Sequence, residues 1–207
     1  MEESEIEEED YDYYFKIMLL GHISPGKTSF IRRYLVNTNN GVLYTTIGLY
    51  FRTKVVELDN NIFGKIRIWD TPSLGRYFNI TLRNFFHKLD GIIILYDITI
   101  RSSFDHAKLC LETIRRESTY NHIIVFVGNK IDYEECRIVS TEEGQKFAEE
   151  NDLIFYETSS KLGINVNECF NELIHIIYQN AISINNNNQV TLNLQSNQRP
   201  PKRGCLK

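Results

Sequence analysis

The sequence predicts an α/β fold: a mostly parallel six-stranded sheet with one antiparallel edge strand and helices on both faces. Three observations carry this. Short apolar runs alternate along the chain with stretches of helical periodicity. Two of those runs, Leu49 to Leu58 and Ile62 to Asp70, are separated only by Asp59-Asn60-Asn61, a turn short enough for an antiparallel hairpin. The first run breaks at a glycine-containing loop and restarts as a helix, which is how a parallel sheet begins.

Taken in order, residues 1–12 read as an acidic tail, 13–182 as one globular domain and 183–207 as a second tail. Acidic side chains dominate Met1 to Asp10, a composition that favours solvated, disordered chain. Tyr13 to Leu20 is the first strand. Thr28 to Leu35 is helical, with Phe30, Ile31, Tyr34 and Leu35 on its apolar face. A polar stretch, Asn37 to Gly41, precedes the hairpin. Ile92 to Tyr96 is a continuous apolar strand that ends in Asp97. Ser102, with Asp105 three residues on, is expected to cap the next helix, whose core face is Phe104, Ala107, Leu111 and Ile114. Ile123 to Val127 is a strand that runs into Gly128-Asn129-Lys130-Ile131-Asp132. Ser140 and Glu143 form a capping box for a helix through Glu150. Leu153 to Tyr156 is a short strand. A final helix, capped by Asn165 with Glu168 at the box position, buries Val166, Phe170, Leu173, Ile174 and Ile177. From Ser183 on, the Asn and Gln run and Pro200-Pro201 lack periodicity, which predicts a disordered tail.

With 207 residues and 42% hydrophobic content, the chain can bury a core without disulfides or metals. The net charge of -4 and the absence of a basic stripe argue against a nucleic-acid function. No basic residue and no apolar stretch precedes Tyr11, which does not fit a secretory signal, and no segment is long enough to span a bilayer. Cys110, Cys136, Cys169 and Cys205 lack disulfide or metal-ligand spacing, as expected of reduced thiols in the cytoplasm. The five histidines are dispersed, and none is assigned a metal.

Chemistry concentrates where strands end. Gly21-His22-Ile23-Ser24-Pro25-Gly26-Lys27-Thr28, with Ser29 directly behind it, matches the phosphate-cradling pattern G-x-x-x-x-G-K-[ST] of P-loop NTPases. Such a loop aims several backbone N–H groups at one point, at the positive end of a helix dipole. Lys27 then reaches the β- and γ-phosphates, and the Thr28 hydroxyl ligates the Mg²⁺ that bridges them. Asp70, at the end of an apolar strand, is placed to hold a water on that metal. Asn129, Lys130 and Asp132 follow another strand. The Asp132 carboxylate can accept two parallel hydrogen bonds from guanine, whereas adenine offers no such donor pair. A mismatched base leaves a buried carboxylate unpaired, which supports discrimination of about 10⁴ or more. The Lys130 stem can cover a flat face of the nucleotide. In α/β sheets ligands sit at the carboxyl ends of strands, so the phosphate loop, Asp70, Asn129 and Ser159 are expected to converge. The expected ligands are GTP or GDP with Mg²⁺.

Over roughly Tyr13 to Tyr178 the chain resembles a Ras-superfamily small GTPase of the Rab branch. The residues that carry the resemblance are Gly21 to Thr28, Thr46-Ile47-Gly48, Lys65 to Thr71, Leu95 to Thr99, Gly128 to Asp132 and Glu157-Thr158-Ser159-Ser160-Lys161. Ile47 to Phe51 resembles I-G-V-D-F, and Lys65 to Asp70 resembles K-L-Q-I-W-D. The resemblance implies that Thr46 is the switch I threonine that ligates Mg²⁺, and that the Ser160 backbone N–H meets the guanine carbonyl. It also implies effector proteins that read switch I and switch II, an exchange factor, an activating protein, and a monomer in vesicle trafficking.

The departures weaken catalysis. Where the family reads W-D-T-A-G-Q-E-R-F, this chain reads Trp69-Asp70-Thr71-Pro72-Ser73-Leu74-Gly75-Arg76-Tyr77. Ser73 replaces the glycine whose N–H meets the γ-phosphate, and Leu74 replaces the glutamine that orients the attacking water. Ile23 crowds the γ-phosphate and any incoming arginine finger. Pro25 removes one N–H donor from the cradle. Asn39 aligns with the aromatic residue that similar proteins place over the guanine edge. Three readings follow: a slowly hydrolysing GTP switch, a pseudo-GTPase scaffold acting through protein contacts, or an enzyme in which other residues replace Leu74. The chain ends Cys205-Leu206-Lys207, which is neither a C-C or C-x-C pair nor a C-a-a-X box. A single prenyl chain on Cys205 would give marginal, reversible binding to the cytosolic face of a membrane.

Overall fold

The computed structural model describes residues 11–22, 25–36, 50–71, 86, 89–120 and 122–196, those from 185 on by backbone alone. In chain order the described elements are β1 (Tyr13–Gly21), α1 (Lys27–Val36), β2 (Tyr50–Asp59), β3 (Ile62–Asp70) and β4 (Gly91–Asp97). They continue with α2 (Arg101–Glu117), β5 (Ile123–Asn129), a 3₁₀ turn (Ile131–Cys136), α3 (Thr141–Glu150), β6 (Ile154–Thr158) and α4 (Val166–Ser196).

The strands form one six-stranded sheet in the order β2-β3-β1-β4-β5-β6. Only β2 and β3 pair antiparallel; every other pair is parallel. This is the expected α/β architecture with its antiparallel edge. Asn61, at φ 58°, takes the left-handed conformation that closes the hairpin. Every residue of β4 is buried, because a central parallel strand is covered on both faces.

Alternate residues feed two cores. Phe15, Ile17 and Leu19 of β1 join Phe30, Ile31 and Tyr34 of α1 and the α4 stripe, all buried. Met18 and Leu20 face the other way, into a core shared with α2 and α3. The Tyr34 and Phe170 rings stack at 4.0 Å and lock α1 to α4. Truncating Phe170 or Phe126 to alanine would cost about 3–5 kcal/mol.

Three helix starts differ from expectation. The backbone at Ile100 is extended and Arg101 begins α2, so Ser102 does not cap it; Ser103 instead accepts the Asp97 N–H through its hydroxyl at 2.9 Å. At α3, Ser140 accepts the Glu143 N–H at 3.2 Å, but the Glu143 carboxylate pairs with Arg101 at 2.7 Å rather than closing the box. Asn165 adopts φ 57°, and its amide donates to the Glu157 carbonyl at 2.7 Å, tying the helix entry to β6. For Glu143 and Asn165 a nearby tertiary partner competes for the side chain that local sequence assigns to a cap. Residues 183–196 continue α4, whereas their lack of apolar periodicity predicts an irregular tail. Once packing has nucleated a helix, each added residue needs only its own backbone bond.

Parallel register is what builds the site. Leu19 lies beside Asp70, Gly21 beside Leu95, Asp97 beside Asn129, and Asn129 beside Thr158, so the ends of β1, β3, β4, β5 and β6 share one rim.

Candidate nucleotide site

At the end of β1 the chain turns through a loop into α1. Gly21 has φ 152°, and a Cβ there would lie 2.4 Å from the Leu95 carbonyl oxygen. Gly26 has φ 94°, and its Cβ would meet the Asn129 amide nitrogen at 2.7 Å. Both positions demand glycine. The buried Lys27 ammonium donates to the carbonyls of Gly21 and His22, each at 3.1 Å. Burial lowers the Lys27 pKa from 10.5 to about 8, against the opposing pull of the Asp70 carboxylate. The Thr28 hydroxyl donates to Asp70 Oδ2 at 2.6 Å. Two hard oxygen groups thus adjoin the lysine, a donor set that suits Mg²⁺. The His22 ring packs edge-on against His106 of α2 at 5.1 Å.

The base end is held by side chains. Asn129 donates its amide to the Pro25 carbonyl at 2.8 Å, stitching β5 to the phosphate loop. Its carbonyl oxygen accepts from the Thr158 hydroxyl, the Ser160 hydroxyl and the Ser160 N–H, each at 3.1 Å. Asp132 Oδ1 accepts from the Ser159 hydroxyl at 2.6 Å. Asp132 Oδ2 has no hydrogen-bond donor, although its side chain is only 5% exposed; the Lys161 ammonium lies 3.7 Å away, beyond hydrogen-bond range. The loop after β6 is closed by Ser159 and Ile164, which exchange backbone bonds at 3.1 Å. Arg33 of α1 clamps it by donating to the Ser160 carbonyl at 3.0 Å and to the Lys161 carbonyl.

Between these ends lies a cleft of about 510 Å³, a size that suits a small-molecule ligand. Gly26, Ser29, Asn129, Lys130, Asp132, Ser160 and Lys161 line it. Gly21, His22, Pro25, Lys27, Thr28, Asp70 and Ser159 support its ends through the contacts above. Ile23, Ser24, Thr46, Ser73 and Leu74 lie outside the described residues, as do Asn39, Pro72 and Cys205.

A model of the Ras family matches residues 16–179. The chain is 40% identical over 173 residues to the GTP-binding protein ypt3 of Schizosaccharomyces pombe, covering 84% of this chain and 80% of that protein. It is 38% identical over 170 residues to the Ras-related protein Rab-3C of Bos taurus, covering 82% and 74%. Against the Ras-related protein Rab-11B of Dictyostelium discoideum it is 36% identical over 188 residues, covering 91% and 83%. The chain belongs to the Ras family, in its Rab branch. Its sheet is that family's P-loop GTPase fold.

Two features of this Rab-branch chain depart from the reading of its sequence. The Ser160 N–H, assigned by resemblance to the guanine carbonyl, is donated to Asn129 Oδ1. Sequence reasoning also gave Asp97 no role, yet it is buried, accepts from the Thr99 N–H and hydroxyl at 2.9 and 2.7 Å, and pairs with the Lys130 ammonium at 2.6 Å. That ion pair holds the Lys130 stem along the cleft. The signal was present: like Asp70, Asp97 is a carboxylate directly after an apolar strand. Thr99, Ile100, Tyr133 and Cys136 also line the cleft, on a 3₁₀ turn and a loop that carry no periodic signature. Among the described residues no cluster of His, Cys, Asp or Glu could hold a metal ion by itself, and no helix is long and apolar enough to cross a membrane.

Proposed function

We propose that this protein is a Rab-like switch that binds GTP and GDP with Mg²⁺ and hydrolyses GTP slowly. The observation that carries the base assignment is Asp132 Oδ2, a buried carboxylate oxygen with no hydrogen-bond donor on the wall of the cleft. Leaving such an atom unpaired costs about 1–3 kcal/mol. Guanine presents a ring N–H and an exocyclic N–H to a carboxylate, and adenine presents neither. Asn129 does not read the base through its carbonyl oxygen, which Thr158 and Ser160 fully occupy; it fixes the distance between base pocket and phosphate loop.

At the other end, Lys27 supplies positive charge to the β- and γ-phosphates, and the N-terminus of α1 adds its dipole. Thr28, Thr46 and Asp70, the last through a water, are the residues to hold Mg²⁺. When bound, that ion would neutralise negative charge on the phosphates. Hydrolysis further requires a water held in line with the γ-phosphate. Leu74 stands at the position that would hold it, and a leucine side chain makes no hydrogen bond. Ser73, behind Pro72, replaces the glycine N–H that meets the γ-phosphate, and Ile23 obstructs an arginine from an activating protein. The switch therefore spends most of its time in the GTP form, which effectors recognise through switch I and switch II. It acts as a monomer in vesicle trafficking, is loaded by an exchange factor, and rests reversibly on the cytosolic face of an intracellular membrane through a prenylated Cys205.

The nucleotide that copurifies with the protein tests this. GTP is expected. GDP would point to groups that replace Leu74, and a nucleotide-free protein would favour a scaffold that works through protein contacts alone, the alternative that Pro72, Ser73 and Leu74 support.

A further inference from the structure

Among the described residues two lysines line the cleft beside Asp132, and each ammonium is drawn to another group. Lys130 pairs with Asp97 at 2.6 Å. Lys161 stands between two acceptors: its ammonium lies 4.9 Å from the centre of the Tyr133 ring and 3.7 Å from Asp132 Oδ2. A charge-assisted hydrogen bond closes at about 2.7–2.9 Å, so this ammonium stops roughly 1 Å short of the carboxylate.

The fold fixes both neighbours of that ammonium. The Lys161 backbone is clamped to α1, because Arg33 donates to the carbonyls of Ser160 and Lys161. Tyr133 follows Asp132 on the 3₁₀ turn, where its N–H bonds the Lys130 carbonyl at 2.9 Å. Its backbone leaves helical geometry there, at φ -109° and ψ 44°. No residue of this turn is buried, and the Tyr133 ring, 48% exposed, lines the cleft without joining either core.

The balance between the two acceptors is close. A full bond to Asp132 would strip water from an ammonium whose side chain is 63% exposed, and that desolvation opposes the Coulomb gain. The negative face of the ring attracts the same cation and leaves most of it hydrated. At an exposed site that attraction biases the population about two- to fivefold. Losing it shifts Lys161 towards the carboxylate, less than 1.5 Å of travel for a flexible side chain.

Resting on the reading of Asp132 given above, we propose that Tyr133 is a positioning residue for base recognition. It holds the Lys161 ammonium off Asp132 Oδ2, which the protein's own lysine would otherwise occupy in place of guanine. An affinity measured on such a site scales with the fraction of molecules in which the oxygen is open.

Calorimetric titration of the nucleotide-stripped protein in Mg²⁺, with GDP, ADP and inorganic triphosphate as probes, tests this. Tyr133→Ala should weaken GDP about two- to fivefold, and leave triphosphate, which has no base, unchanged. Tyr133→Phe keeps the ring face and should bind GDP as the unmutated protein does. Adding Lys161→Met to Tyr133→Ala removes the competing cation and should recover the lost affinity. A ring that merely packed against the nucleoside, or a damaged turn, would show the same loss with or without Lys161. Unchanged GDP affinity in Tyr133→Ala would therefore overturn the proposal, and so would a double variant that binds no tighter than the single one. Equal affinity of the unmutated protein for GDP and ADP would overturn the reading of Asp132 itself, and this role of Tyr133 with it.

Discussion

The two ends of the cleft are built from different materials. At the base end, side chains hold side chains: Asn129 alone joins Pro25, Thr158 and Ser160, and Ser159 fixes Asp132. The phosphate end relies on a desolvated lysine among backbone carbonyls and on a single hydroxyl-to-carboxylate bond. The base end is therefore held together by its own side chains, and the function proposed above places selectivity in the one atom left over, Asp132 Oδ2. The phosphate end depends on a charge that its own burial weakens. Affinity there should therefore respond to pH.

The largest effect lies at the phosphate end. Single-turnover hydrolysis of bound GTP should accelerate about 10²-fold or more in a variant combining Ile23→Gly, Ser73→Gly and Leu74→Gln. Leu74→Gln alone should gain little, because Pro72 still lacks an N–H and Ser73 still replaces the glycine that the family places beside the γ-phosphate. A full gain from that single change would show that the loop tolerates its substitutions.

At the base end, Asn129→Ala removes the link to Pro25 and orphans the buried Thr158 and Ser160 donors. GTP affinity should fall about 10²-fold, from ~1–3 kcal/mol per unpaired group. A loss of similar size for triphosphate alone, without the base, would locate the damage in the phosphate loop. Arg33→Ala, which frees the carbonyls of Ser160 and Lys161, should speed nucleotide release about tenfold, given ~1.5 kcal/mol for a charged hydrogen bond. Stopped-flow displacement of a fluorescent guanine nucleotide measures this, and an unchanged rate would mean that the Ser159 to Ile164 turn suffices.

The smallest effect is a proton. Because Lys27 titrates near pH 8, a phosphate bound beside it raises its pKa, and binding at about pH 9 takes up part of a proton. At about pH 6.5 Lys27 is already charged and contributes no uptake. Calorimetry in buffers of different ionisation enthalpy separates the two conditions. Equal uptake at both would remove Lys27 as the titrating group.

Much of this could be read from the sequence. Gly21, Gly26, Lys27 and Thr28 sit at fixed spacing within one segment, and the apolar runs before Asp70 and Asn129 mark strand ends, so periodicity alone brought them to one rim. Asp97 carried the same mark and lies within the Leu95 to Thr99 segment of the resemblance, but no chemistry was assigned to it. Arg33 could not be found, because its partners lie on a loop far along the chain and only packing of α1 against the end of β6 brings them together. The cap at Asn165 failed because a local pattern cannot show that the Glu157 carbonyl offers a better bond, and the one at Ser102 because the helix starts one residue earlier, at Arg101.

Competitive titration of the nucleotide-stripped protein with GTP and ATP in Mg²⁺ tests the base-end assignment most directly, repeated with Asp132→Ala. The unmutated protein should prefer GTP by about 10⁴ or more. The variant should lose most of that preference by weakening GTP, with ATP bound no better than before. ATP binding as tightly as GTP in the unmutated protein would contradict the reading of Asp132, and so would a variant that keeps its preference.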